Sequence, residues 1–211
     1  ISGTATIDTD YSTAFASKGT TTVAGTGTYG SGLKNLRTPR GVSVDSAGNI
    51  YVADFNNSRI VKWEPGASEG VNIISIGSPW GVHVDNSQNI YVSSYYGHVV
   101  YKYTYSAGSY TPSLVAGNGS QGAELNELSY PAGIHVDSSG NVYVADRANN
   151  RVVKWIPNAT QGVVVAGGNS NGSGLNQLWE PYGLTVDSTN NIYVADFNNR
   201  RIVKWEPNAT E

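Results

Sequence analysis

Residues 131–155 read PAGIHVDSSGNVYVADRANNRVVKW, and closely similar stretches begin at Pro39, Pro79 and Pro181. In each copy, three short runs rich in Val, Ile and Tyr alternate between two faces, which is the pattern of β-strands with one buried face. Turn-forming residues, as in Asp137-Ser-Ser-Gly140, separate the first two runs and predict a hairpin. The sequence therefore predicts an all-β chain built from one repeated antiparallel unit, with no sustained helical periodicity.

A fourth strand is predicted after each of the first three copies, at 72–76, 113–116 and 162–166. The repeated prolines stand at 39, 79, 131 and 181, which gives units of about 40 to 50 residues. Four antiparallel strands in a unit of this length are typical of one blade of a β-propeller.

The pattern Pro-x-Gly-φ-x-Val-Asp, a turn, Asn-φ-Tyr-Val-Ala-Asp and Arg-φ-Val-Lys-Trp (φ, an aliphatic residue) resembles the repeat of NHL-type β-propellers. It recurs four times over 39–205, and the second copy departs from it with Ser94 and Val99. The resemblance implies four NHL-type blades at about 39–77, 79–117, 131–167 and 181–211. Rings of this family are expected to hold six blades, so four indicate either a small ring or part of a larger one.

The two ends of the repeat region predict how the last blade is completed. The fourth copy has no predicted fourth strand after Trp205, whereas residues 20–25 have the form of one. Gly25 precedes Pro39 by the same step that separates Gly117 from Pro131. We therefore expect residues 20–25 to complete the last blade, with 1–19 as an N-terminal arm and 20–211 as the propeller.

That strand can come from the same chain or from a neighbouring chain. Closure within one chain is favoured by its higher effective concentration. Donation to a neighbour would give oligomers or filaments.

Composition restricts the partners and the chemistry. The formal net charge is −3 and only 14% of residues are charged, so no basic field attracts nucleic acid. The absence of cysteine excludes disulfides, zinc-thiolate sites and thiol nucleophiles. No apolar run reaches the roughly 18 residues of a membrane span, so neither nucleic acid nor a membrane span is expected.

Repeated charged residues are interpreted as structural. Asp54, Asp146 and Asp196 each precede an arginine by five residues (Arg59, Arg151 and Arg201), a spacing at which the pair can brace a turn. A second set is expected to cap the hairpins through backbone hydrogen bonds: Asp45, Asp85, Asp137 and Asp187.

Two histidines are the only metal candidates. His83 and His135 hold the same position in neighbouring first strands, where two imidazoles could face each other across the channel and hold a metal. The favoured interpretation is polar channel residues bonded to water, with no metal and no cofactor. In the lyases of this family, as the resemblance implies, zinc-binding histidines follow the repeat proline, but here Arg40, Trp80, Ala132 and Tyr182 stand there.

The G-x-S-x-G pattern occurs at 66–70 and 168–172, but both stretches are predicted loops with no helix after them, unlike a nucleophile elbow. We therefore expect a protein without enzyme activity. The alternative is a metal-dependent propeller enzyme, a lyase or hydrolase, with its site at His83 and His135.

A candidate binding surface lies at one end of the channel. Arg40, Trp80 and Tyr182 are expected to cluster there, with Trp179 nearby. Aromatic side chains that project beside polar groups suit sugars or peptides, although packing between blades would use the same residues.

The sequence also predicts a compartment. Five N-x-S/T sequons fall in predicted loops, where a glycan disturbs no sheet: Asn56, Asn118, Asn158, Asn171 and Asn208. We therefore expect an extracellular protein, secreted or at the cell surface. Its expected role is a non-enzymatic, glycosylated scaffold for structure, adhesion or recognition, with N-linked glycans and with protein partners or self-association.

Overall fold

The computed structural model describes residues 21–207 and residue 209. Within them the chain forms fifteen strands in four antiparallel sheets, and single turns of 3-10 helix at Phe55–Asn57 and Arg147–Asn149. None of the described segments is a helix long and apolar enough to cross a membrane. The N-terminal arm predicted at 1–19 lies outside the described residues.

Each sheet is one blade, with its strands in chain order. Blade 1 holds β1 (Pro39–Val44), β2 (Ile50–Asp54), β3 (Arg59–Trp63) and β4 (Val71–Ser75). Blade 2 holds β5 (Pro79–Val84), β6 (Ile90–Ser94), β7 (Val99–Ser106) and β8 (Ser109–Ala116). Blade 3 holds β9 (Pro131–Val136), β10 (Val142–Asp146), β11 (Arg151–Trp155) and β12 (Val163–Gly167). Blade 4 holds β13 (Pro181–Val186), β14 (Ile192–Asp196) and β15 (Arg201–Trp205). The predicted all-β propeller of four NHL-type blades is confirmed.

The hydrophobic cores lie between blades rather than inside them. One core joins Tyr51 and Ile60 of blade 1 to Val82 and Val92 of blade 2, and equivalent cores join blades 2 to 3 and 3 to 4. Side chains alternate between the two faces of each sheet, and blades 2 and 3 bury apolar residues on both faces because a neighbouring blade covers each face.

The first strand of every blade carries the same bulge. Pro39 pairs with Asp54 and Val42 with Val52, so one extra residue lies in β1, and β5, β9 and β13 repeat this shift. A bulge re-aims the side chains beside it. It therefore sets the direction of the residue after each repeat proline, which is the position of Arg40, Trp80, Ala132 and Tyr182.

Completion of the last blade by residues 20–25 is not confirmed. In the described part of that segment, residues 21–25 form no strand, and blade 4 is a sheet of three strands. Ala24 packs instead on Trp63 and Val61 of blade 1.

Candidate functional site

The repeated Asp and Arg form a buried structural brace. In blade 3 the carboxylate of Asp146 accepts hydrogen bonds from the Ser129 N–H, the Asn149 amide and the Arg151 Nε, at 2.7 to 2.8 Å. Arg151 in turn donates to the backbone carbonyls of the loop before its blade, among them Ala123 at 2.7 Å. Burial raises the pKa of Asp146, against the lowering effect of these hydrogen bonds. All of the polar groups serve the fold, so this brace is not a catalytic site.

The hairpin caps are also confirmed. Asp137 Oδ1 accepts from the N–H groups of Ser139 and Asn141, both at 2.9 Å. Burial alone would raise the pKa of Asp137, but these bonds and that from the Asn141 side chain lower it.

The mouth of the channel is the best-formed candidate site. The bulged strands bring three side chains to one end of the channel: Arg40, Trp80 and Tyr182. The Trp80 and Tyr182 ring centroids lie 5.4 Å apart, and the Arg40 guanidinium lies 4.3 Å above the Trp80 ring. Ala132 is fully buried at the equivalent position of blade 3, and its small side chain leaves room for this contact between Trp80 and Tyr182.

A second set of side chains surrounds the first. Trp80 stacks on Tyr95 at 4.7 Å and meets the edge of Phe55 at 5.6 Å, while Tyr182 lies 4.5 Å from Phe197. Together these rings form one continuous aromatic surface around the end of the channel.

Arg147 closes the remaining side of this surface. Its guanidinium donates to the Tyr95 hydroxyl at 2.5 Å and to the Glu180 carboxylate at 2.7 Å, and lies 5.2 Å from the Tyr182 ring centroid. Its Nε is buried and has no hydrogen-bond partner among the described residues. A buried donor without a partner is costly.

The aromatic surface borders a cavity of about 450 Å³ lined by the first strands of all four blades, including Arg40, Trp80 and Tyr182. Aromatic rings offer flat apolar contact, and guanidinium groups bind carboxylates through paired hydrogen bonds. The mouth can therefore hold a ligand that combines an apolar face with an anionic group.

Trp179 is not part of this surface. It is 42% exposed, and no ring contact joins it to the other aromatic residues among the described pairs. The backbone N–H of Trp179 donates to Asp196 Oδ1 at 2.7 Å, so this residue belongs to the Asp–Arg brace of blade 4 instead.

Sequence reasoning missed Phe55, Tyr95, Arg147 and Phe197, although a signal was present. All four follow directly after the second strand of their blades, at one repeat position. The residue type at this position differs between blades, whereas the neighbouring Asp and Arg recur in three of them. The fold therefore does not require one residue type here, and the position forms a variable surface.

The two channel histidines do meet as expected. Their ring centroids lie 5.3 Å apart. Burial lowers the pKa of His83 to about 4, with His135 adding to the effect, and burial also lowers the pKa of His135. Both imidazoles are therefore neutral at pH 7.

A structural or catalytic zinc site uses three or four protein ligands. No group of three or more His, Cys, Asp or Glu side chains with metal-binding geometry occurs among the described residues. His83 also lines a cavity of about 830 Å³ at the hairpin-turn end of blades 2 and 3.

Four of the five sequons lie in the described residues, and their asparagines are all exposed and outside the strands: Asn56, Asn118, Asn158 and Asn171. The Asn56 amide donates to Thr38 Oγ1 at 2.6 Å. Asn208 lies outside the described residues.

Comparison with protein families gives the same repeat. The NHL repeat matches residues 36–63, 128–155 and 178–205. The chain is an NHL-repeat β-propeller. Blade 2 is not matched, in keeping with its Ser94 and Val99. Comparison with curated protein sequences gives no match.

Solved structures share the fold at low sequence identity. An auxiliary nutrient binding protein from Bacteroides ovatus is 19% identical with a TM-score of 0.67, over 84% of this chain and 50% of that one. A nidogen/laminin complex is 17% identical with a TM-score of 0.65, over 84% and 63%. A gluconolactonase from Xanthomonas campestris is 14% identical with a TM-score of 0.64, over 82% and 59%. This NHL propeller spans about half the length of the first of these.

Proposed function

We propose that this NHL propeller is a non-enzymatic extracellular recognition scaffold that binds an acidic oligosaccharide at its mouth. The observation that carries the proposal is the aromatic surface of the mouth with Arg40 and Arg147 beside it. The accessible parts of the Trp80 and Tyr182 rings would contact the apolar faces of sugar rings. The two guanidinium groups would bind the carboxylates of the same chain.

Several observations support the extracellular and non-enzymatic parts. Four sequon asparagines are exposed, and a low charge content with many small polar residues suits a secreted protein. The sequence holds no cysteine and has no histidine at the lyase-type positions. Structural neighbours include both an auxiliary nutrient binding protein and a gluconolactonase, so the fold alone does not choose between binding and catalysis.

Isothermal titration with uronic-acid oligosaccharides of defined length tests the proposal. We expect binding that weakens with salt, and a loss of about fivefold to tenfold in affinity for Arg40→Ala, which removes an exposed cation–π and carboxylate partner. Trp80→Ala should weaken binding further. Trp179→Ala is the matched control, since that tryptophan is exposed but outside the aromatic surface, and it should leave the affinity unchanged.

Three results would contradict the proposal. One is equal loss in the Trp179→Ala control and the mouth variants. Another is preference for carboxylate-terminated peptides over sugars of the same charge. The third is turnover of the oligosaccharide or a requirement for a divalent metal, which would favour an enzyme site at His83 and His135.

A further inference from the structure

The three blade-to-blade junctions share one close approach of backbones. A Cβ added at Gly41 would lie 2.5 Å from the Trp80 carbonyl oxygen of the next blade, and at Gly133 it would lie 2.6 Å from that of Tyr182. Gly81 approaches Ala132 in the same way, at 2.8 Å. At the equivalent Gly183 of blade 4, the nearest atom is the Ala195 Cβ of the same blade, at 3.9 Å. Gly183 therefore has room for the same close approach, and no described residue fills that junction.

The sheet face that each blade turns to the following blade, its forward face, is apolar in all four blades. In the first three blades one aliphatic residue at its centre is fully buried: Ile60, Val100 and Val152. The equivalent Ile202 of blade 4 is 69% exposed. Blade 4 thus presents an uncovered forward face.

Blade 1 presents the complementary surface. The face that a blade turns to the preceding blade, its rear face, buries Val82 and Ile134 to 6% and 8% exposure in blades 2 and 3. In blade 1 the equivalent Val42 is 65% exposed, and Val44 is 59% exposed. No contact comparable to those between β1 and β5 or between β9 and β13 joins β13 to β1 in the described residues.

The outer part of the same rear face is already covered by residues that imitate a preceding blade. Ala24 and Leu36 pack on Trp63 in blade 1. Ala166 of β12 and Leu178 pack on Trp205 of blade 4 in the same way. Residues 21–25 therefore lie where the last strand of a preceding blade belongs, and they lack the third strand that would pair with them.

We propose that blade 4 of one copy docks by its forward face on the rear face of blade 1 of a second copy. The contact continues the junction that the molecule already makes three times, with the same residue types on both sides. Residues 21–25 of the second copy then pair with β15 of the first. The pairing of β11 with β12 gives the register: Arg201 with Gly25, Ile202 with Ala24, Val203 with Thr22 and Lys204 with Thr21.

This contact is heterologous, because it joins two different faces, so it builds a ring of copies where the rotation closes and a filament where it does not. It also removes the open edge of β15, which would otherwise expose unpaired backbone groups. The proposal does not rest on the ligand proposed for the mouth.

The test is the mass in solution, measured by light scattering after gel filtration over a range of concentrations. We expect the unaltered chain to reach at least twice the 22.4 kDa of one copy. Val42→Asp and Ile202→Asp each place a charge on a face that is exposed in a single copy, so each should remain folded but monomeric. Val163→Asp is the matched control, since Val163 is 64% exposed on the outer strand β12. It should associate like the unaltered chain.

Mixing the two single variants separates this contact from other dimers. Val42→Asp keeps an intact forward face and Ile202→Asp an intact rear face, so an equimolar mixture should give a one-to-one dimer and stop there. Gly183→Ala should also abolish association while leaving the single copy folded by circular dichroism.

The proposal is wrong if the unaltered chain stays monomeric at every concentration, which would favour closure within one chain. It is equally wrong if Val42→Asp alone still associates, because a contact between two forward faces would then explain the mass.

Discussion

At the scale of single residues, one carboxylate joins three segments of backbone in blades 1, 3 and 4. Asp54, Asp146 and Asp196 are fully buried, and each bonds an arginine that holds the preceding loop through its carbonyls. Blade 2 has Ser94 and Val99 there because the connection before it is only three residues long, from the end of β4 to Pro79. Without a long loop, an arginine would have no carbonyls to bind, and Ser94 Oγ bonds the Gly77 carbonyl at 2.7 Å instead.

Removal of the buried Asp carboxylate from one blade should destabilise the folded protein. We expect Asp146→Ala to lower the free energy of unfolding by about 3 to 5 kcal/mol, because it leaves the guanidinium of Arg151 buried without its counter-ion. Urea denaturation measures the loss. Lys204→Ala breaks an exposed ion pair with Glu206 and serves as the comparison, with an expected cost under about 1 kcal/mol. Equal costs for the two variants would show that the brace contributes no more than a surface pair.

The channel histidines give the stability a pH dependence. In the folded state the pKa of His83 is about 4, against 6.5 for an ordinary histidine. The folded chain then binds fewer protons than the unfolded chain between these values, so stability is complete above pH 6.5 and falls as the pH drops toward 4. We expect a loss on the order of 2 kcal/mol over that interval by urea denaturation.

His83→Ser is the informative variant for this pH dependence, because blade 1 carries Ser43 at the same position and its hydroxyl accepts from the Val84 N–H at 3.1 Å. The variant should show a shallower fall in stability between pH 6.5 and 4. An unchanged slope would assign the dependence to other groups.

At the scale of elements, the first strand of each blade performs two tasks. Its bulge turns the residue after the proline toward the mouth, and its glycine lets the next blade approach within contact of the backbone. The side chain presented at the mouth and the stacking of the blades are therefore encoded in neighbouring residues of one strand.

Two glycine variants compare the junction between blades 3 and 4 with the uncovered face of blade 4. Gly133→Ala should destabilise the protein by about 1 to 3 kcal/mol, since its new Cβ would lie 2.6 Å from the Tyr182 carbonyl oxygen. Gly183→Ala meets nothing closer than 3.9 Å and should leave the thermal midpoint of a single copy within a degree or two. Equal destabilisation of both variants, measured where the protein is monomeric, would mean that blade 4 is covered within a single copy.

At the scale of the whole molecule, the four blades bury three junctions, and residues 21–207 leave one forward and one rear face uncovered. The exposed Ile202 and Val42 are therefore consequences of position in the row of blades and not of local sequence. Large exposed apolar surfaces on a protein mark interaction sites.

The proposed extracellular location predicts N-linked glycans on the chain when it passes through a secretory pathway. Asn158 is exposed in the turn after β11, and a glycan there would not displace a strand. Peptide mass spectrometry of secreted protein should find modified asparagine at some of the five sequons, with Asn56, Asn158 and Asn208 foremost. Asn158→Gln should remove one glycan mass. Unmodified asparagine at all five positions would remove the main support for an extracellular location.

The sequence by itself determined the blades, the Asp–Arg brace, the hairpin caps and the meeting of His83 with His135. These features repeat, and each depends on partners within one blade or at one repeat position in the next, so periodicity is sufficient to predict them. The second set of residues around the mouth, with Arg147 against Tyr95 and Tyr182, was decided by tertiary structure, because its contacts cross between blades that differ in sequence. The uncovered faces of blades 1 and 4 were decided there as well. A blade carries the same two apolar faces wherever it stands, and only the arrangement of all four shows which faces meet a neighbour.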